Sequence, residues 1–168
     1  HAANVDLFPN SEVLLQRSEL VAARDHLPHM RRAYLDAHVA ALDDADLTLL
    51  DGGYRLCRDV EVLHTPGHTE GMQSVVVETA DGTHAVACDL IYCRQNLEPG
   101  VSEIRDLHGA TFEVTPLDYD PPYVPPGLHV DVRECYESVV RLQERVGSDG
   151  ALLGSHDPEV LESPLSQE

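Results

Sequence analysis

The chain has 168 residues, 42% of them hydrophobic, enough for one ordinary core and too few for two domains. Its 11 Lys and Arg against 30 Asp and Glu leave a net charge of −19, a surface that repels nucleic-acid phosphates and anionic lipid. No run approaches the roughly 18 apolar residues of a membrane span.

The chain opens on His1 rather than methionine, as expected of a processed or partial polypeptide. Glu12 to Gln16 reads as a short buried strand after the Pro9-Asn10 turn. A helical stretch starts at Ser18-Glu19-Leu20, is interrupted by Pro28, and resumes from Met30 to Leu42 with Ala33, Tyr34, Ala37 and Ala41 on one stripe. That second piece suits a lid or a dimer element. From Leu47 the period changes to two. Leu47 to Leu50 and Tyr54 to Leu56 flank Asp51-Gly52-Gly53, which predicts a hairpin. Asp59 to His64 is a further strand, and Met72 to Thr79 with Thr83 to Cys88 predict a second hairpin about Asp81-Gly82. Residues 94 to 130 are rich in Pro and Gly and read as mostly irregular, a length that in a compact domain covers or serves a site. Asp131 to Glu134 has the form of a capping box. A helix should follow to Val146, burying Val132, Cys135, Tyr136, Val139, Leu142 and Val146, with Gly147 as its cap. Ala151 to Gly154 is a last short strand, followed by a helical turn from Pro158. The order implies a layered mixed α/β architecture.

Ten histidines prompt a search for ligand spacing. In Thr65-Pro66-Gly67-His68-Thr69-Glu70-Gly71, Pro and Gly fix a tight loop between two strands that would present His68 on the sheet rim; a turn with an incidental histidine is the competing reading. Asp89 closes the strand Thr83 to Cys88. If the hairpin turns near Asp81, Asp89 lies opposite about residue 73, close to His68. His156 follows the last strand. Three acid or imidazole groups thus follow three strand ends, and both donor types suit zinc, iron or manganese. Cys57, Cys88, Cys93 and Cys135 contain no CxxC pair, so a zinc ribbon is not indicated, and free thiols in a reducing, cytoplasmic compartment are expected. His26, His29 and His38 read as surface residues. His64, His84, His108 and His129 lack a ligand-like context, and Asp43-Asp44-Ala45-Asp46 does not match a calcium loop.

These residues resemble the metallo-β-lactamase superfamily, and within it the N-acyl-homoserine lactonases. His1-Ala2-Ala3-Asn4 with Leu7-Phe8-Pro9-Asn10-Ser11-Glu12 resembles the end of the HxHxDH motif and the "LFPNAE" segment that follows it. Thr65 to Gly71 matches TPGHTxG, Cys88-Asp89 stands where the family usually has Gly-Asp, and Ser155-His156-Asp157-Pro158 matches a closing GHDP-type motif. The resemblance implies that residues 1–168 are the C-terminal portion of a single domain, part of a four-layer αββα fold whose N-terminal portion is missing from this chain. It also implies two divalent metal ions, zinc foremost, with iron, manganese or cobalt as alternatives. His68 would serve the first ion and His1 and His156 the second, with Asp89 bridging. A bridging hydroxide would attack the carbonyl of a small-molecule lactone or ester. Tyr92, three residues after Asp89, matches a lactonase tyrosine that contacts substrate; packing beneath the long loop is the other reading.

The first two histidines and the aspartate of HxHxDH are absent, so the isolated chain is expected to be inactive. Other substrates (thioester, phosphoester, β-lactam) stay open, as does a homodimer. A copper oxidase using His1 as a chelating N-terminus and a non-catalytic metal-binding domain are the competing classes.

Overall fold

The computed structural model describes residues 4–106, 108–119, 121–158 and 160. The first strand, β1 (Val13–Gln16), leads directly into helix α1 (Arg17–Arg24), and a short α2 (Asp36–Ala40) precedes β2 (Leu47–Leu50). β1 and β2 pair in parallel, from Val13 opposite Leu47 to Gln16 opposite Leu50, because the intervening helices supply the crossover that parallel strands require. The helical run expected from Met30 to Leu42 is broken into short pieces, and Ala33 and Ala37 are exposed. Its burial instead rests on Met30 and Leu42 at the two ends.

The hairpin expected between Leu47–Leu50 and Tyr54–Leu56 does not form. β3 (Tyr54–Arg55) belongs to another sheet and pairs with β4 (Val60–His64). The side chain of Gln16 explains the divergence: its amide nitrogen donates to the Gly52 carbonyl, and its amide oxygen accepts from the Gly52 N–H. The turn is therefore tied back onto β1, and Gly52, at φ +128°, takes the backbone across to the second sheet.

That sheet has the order β3-β4-β5-β6-β9, with β5 (Gln73–Thr79) and β6 (Gly82–Cys88) forming the hairpin read from the sequence and β9 (Leu152–Gly154) at the edge beside β6. Its register sets Val75 opposite Val86 and Thr79 opposite Gly82. The region from 94 to 130, expected to be irregular, contains a one-turn helix α3 (Arg94–Leu97) and a small hairpin of β7 (Glu103–Arg105) and β8 (Thr111–Glu113). Helix α4 (Val132–Val146) then crosses over to β9 (Leu152–Gly154), which pairs in parallel with β6.

α4 starts where the sequence says it should, since the Asp131 carboxylate accepts the Glu134 N–H and relieves one of the unpaired donors of the first turn. It ends at Gly147, whose φ of +70° suits a residue without Cβ. Cys135, Val139, Leu142 and Val146 pack onto Val76, Ala85 and Ala87 of the sheet, and this is the core. Val132, expected on the buried face, is half exposed because it lies in the first turn, beyond the sheet's edge of contact. Arg145 fastens the far end of the helix, its guanidinium bonding Glu61 of β4 and Glu78 of β5. No helix among the described residues is long and apolar enough to cross a membrane.

Replacing the cap by Asp131→Ala should lower stability by about 1 kcal/mol, read as a shift in the urea midpoint with an unchanged slope.

Candidate metal centre

β5 is antiparallel to both β4 and β6, and β9 is parallel to β6, so β4, β6 and β9 all run the same way. Their C-terminal ends share one rim, and the loops that leave them carry His68, Asp89 and His156.

The loop after β4 is held at nearly every turn. The Thr65 N–H bonds the Met72 carbonyl, the Ser138 hydroxyl of α4 donates to the Pro66 carbonyl, and the N–H groups of Val130 and Asp131 both reach the Gly67 carbonyl. Gly67 is at φ +130°, and a Cβ there would collide with the backbone nitrogen of Cys135. The loop's other end is fixed by Glu19 of α1, whose carboxylate accepts the Gly71 N–H while Tyr34 donates to its second oxygen. His68 is consequently rigid and 5% exposed.

Asp89 is equally buried and lies between the two histidines. Its Oδ2 is 3.5 Å from His68 Nε2, and its Oδ1 is 3.5 Å from His156 Nε2. Both separations exceed the roughly 2.7–3.2 Å of an N–H···O hydrogen bond. Two ligand atoms held tetrahedrally at about 2.0–2.1 Å from one ion would be about 3.3 Å apart, so the donors fit a cation between each pair. His68 Nδ1 is buried without a hydrogen-bond partner; the Leu128 backbone favours the charged ring but does not complete a bond there. The Tyr92 ring stands edge-on to both histidines, its centroid 5.9 Å from that of His68 and 4.7 Å from that of His156.

The electrostatics suit ligation. Burial lowers the pKa of His68 despite the opposing charge of Asp89, which favours the neutral imidazole a metal needs. Burial, and secondarily Asp89, raises the pKa of the Tyr92 phenol, keeping it a donor. The same two causes raise that of Cys88, favouring the thiol over the thiolate.

The turn from Asp89 to Cys93 is braced from three directions. Ser155 Oγ donates to Asp89 Oδ1 at 2.6 Å, and the N–H groups of Ser155 and His156 bond the carbonyls of Ile91 and Tyr92. The Asn96 amide oxygen accepts from the N–H groups of Tyr92 and Cys93, while its nitrogen donates to Val124. The buried Tyr123 donates to the Leu90 carbonyl at 2.6 Å. The sequence reading missed these three side chains. Ser155 had a signal, its place beside His156; Asn96 and Tyr123 had none, since each acts from within the long loop. Tyr92 also forms a wall common to two clefts. One, of about 360 Å³, is bounded by Pro99, Leu117, Val124 and Pro126; the other, of about 480 Å³, by Arg94, Arg105, His156 and Asp157.

Of the expected ligands, His68, Asp89 and His156 are together, with Tyr92 beside them. His1 lies outside the described residues, as does the side chain of His29. Among the described residues, no three His, Cys, Asp or Glu side chains surround a single point; the donors form two His–Asp pairs sharing Asp89. His26 and His38 are partly exposed, and both ring nitrogens of His84 are buried without a hydrogen bond.

In sequence the chain is similar to an N-acyl homoserine lactonase of Bacillus cereus, 31% identical over 102 residues that make up 60% of this chain and 38% of that protein. In structure it is similar to an N-acyl homoserine lactone hydrolase with N-hexanoyl-L-homoserine at its catalytic metal centre (TM-score 0.67, 24% identity, 96% of this chain and 53% of that one). The chain has the metallo-β-lactamase fold of these lactonases. A dizinc quorum-quenching lactonase, AidC, shares it at a TM-score of 0.56 and 15% identity over 90% of this chain and 49% of that one. The chain thus spans less than two fifths of the curated relatives it matches and about half of the solved ones. No family model matches it.

The fold explains the one departure in the Gly-Asp pair. Cys88 is at φ +50°, the only non-glycine residue in the left-handed region among those described, where β6 slips register against β9. A left-handed L-residue costs about 1–2 kcal/mol, partly offset by the roughly 0.4–1 kcal/mol of chain entropy that glycine would bring. Cys88→Gly should therefore stabilise the protein by about 0.5–1 kcal/mol in urea unfolding, and the β-branched Cys88→Val should destabilise it by at least about 1 kcal/mol.

Proposed function

We propose that this chain provides the rim of a dinuclear metal centre in a hydrolase that opens a lactone or a closely related ester. The observation that carries the reading is the placement of Asp89, one carboxylate oxygen facing each histidine at a separation suited to a shared cation and unsuited to a hydrogen bond. The similarity to N-acyl homoserine lactonases supports it, and the four free thiols are in keeping with a cytoplasmic setting.

His68 would hold one ion and His156 the other, with Asp89 ligating both; His1 is assigned to the His156 side by resemblance alone. When bound, the ions supply a water of lowered pKa and polarise the substrate carbonyl. The chain's own residues do the rest. The loop that carries His68 is clamped, and burial favours the neutral form of its ring that ligation needs. Ser155 holds the Asp89 carboxylate in one orientation, and Asn96 fixes the backbone that carries Tyr92, before substrate arrives. Tyr92, at the junction of the two clefts, is placed to donate its phenolic proton in a hydrogen bond to the oxygen on which charge develops as the ring opens. Its raised pKa keeps that proton in place at neutral pH.

Metal analysis of the full-length protein tests the reading. Two first-row ions per chain are expected, with loss of both on Asp89→Ala and of one on either His68→Ala or His156→Ala; unchanged metal content in all three would sink it. Tyr92→Phe should reduce lactone turnover about a hundredfold with metal content retained. Equal turnover would return Tyr92 to a packing role.

A further inference from the structure

We propose that Ser155 is a positioning residue of the metal centre, whose hydroxyl orients Asp89 Oδ1 and thereby sets the affinity for the ion on the His156 side. The proposal rests on the metal reading of Asp89 given above.

The contact is chemically specific. Ser155 Oγ lies 2.6 Å from Oδ1, within the roughly 2.5–2.7 Å range of a hydroxyl bonded to a carboxylate anion. Ser155 is itself exposed, so its hydroxyl could turn to water, yet it faces a carboxylate that is 5% exposed. It is also asymmetric. The oxygen that receives the bond is the one facing His156, while Oδ2, facing His68, receives none from this group.

The donor is carried on a backbone that cannot drift. The Ser155 and His156 N–H groups bond the carbonyls of Ile91 and Tyr92, each at 2.9 Å, so the hydroxyl and the carboxylate share one hydrogen-bonded frame. Gly154 makes the approach possible, since a Cβ there would press to 2.9 and 3.0 Å from those same two carbonyl oxygens. A carboxylate at the end of a strand retains rotation about its Cβ–Cγ bond. A hydroxyl on one oxygen removes that freedom and leaves the remaining lone pair of Oδ1 directed at the His156 side. Outer partners of this kind are worth roughly 10–100-fold in metal affinity.

Zinc titration of the full-length protein against a competing chelator tests the proposal, with Ser155→Ala, Ser155→Thr and both His156→Ala and its double variant with Ser155→Ala. Ser155→Ala should weaken one of the two ions about tenfold or more while leaving the other within about twofold, and Thr should restore it. In the His156→Ala background the Ser155 substitution should have no further effect. Unaltered zinc affinities in Ser155→Ala, an equal loss with or without His156, or a Thr variant that behaves like Ala would each overturn it. Failure of the metal reading looks different: His156→Ala alone would then leave zinc stoichiometry unchanged.

Discussion

A carboxylate is hard to bury, and the rim of this sheet is organised around burying one. Asp89 closes an apolar strand at 5% exposure, where an uncompensated charge would be strongly unfavourable. The fold answers with a hydroxyl on one oxygen, an imidazole opposite each, and a turn whose carbonyls and N–H groups are tied to β9, α3 and Tyr123. These partners come from distant parts of the chain, with Ser155 and His156 supplied together by the loop after β9. The Thr65 to Gly71 loop is likewise clamped by α1 on one side and α4 on the other. The small residues of both motifs have the same physical basis: Gly67 and Gly71 lie where a Cβ would strike α4 and α1.

What the sequence made legible follows from how local the cause is. The hairpin about Asp81-Gly82, the Asp131 cap and the Gly147 terminus are decided by residues within a few positions of one another, and all three are present. The gathering of His68, Asp89 and His156 was legible because strand direction alone brings the three strand ends to one rim. The turn at Asp51 to Gly53 was misread because its composition suits a hairpin, whereas a distant side chain, Gln16, decides where it goes. Asn96 and Tyr123 were invisible for the same reason: an amide and a phenol in a Pro-rich loop announce nothing until the residues they brace are known.

Scarce positive charge is used to join elements. With 30 acidic side chains against 11 Lys and Arg, most carboxylates must face solvent. Among the described residues, arginines nevertheless bridge separate elements: Arg17 to Asp51, Arg24 to Asp43, Arg55 to Glu61, and Arg145 to both Glu61 and Glu78. The first two pairs are open to water and contribute little individually. The Arg145 fork is less exposed and holds α4 across two strands, which keeps the Ser138 and Asp131 contacts to the His68 loop in register.

The pairing of β6 with β9 has a consequence for the order of folding. Ser155 and Asp89 are 66 residues apart, and everything between them must be gathered before their bond can form. Closing a loop of that length carries an entropic penalty that only long-range contacts repay. The hairpin of β5 and β6 can form early from local contacts, with Asp89 already at its end. The rim is complete only when the last strand docks, so an incompletely folded chain would display the aspartate without the serine and histidine that face it.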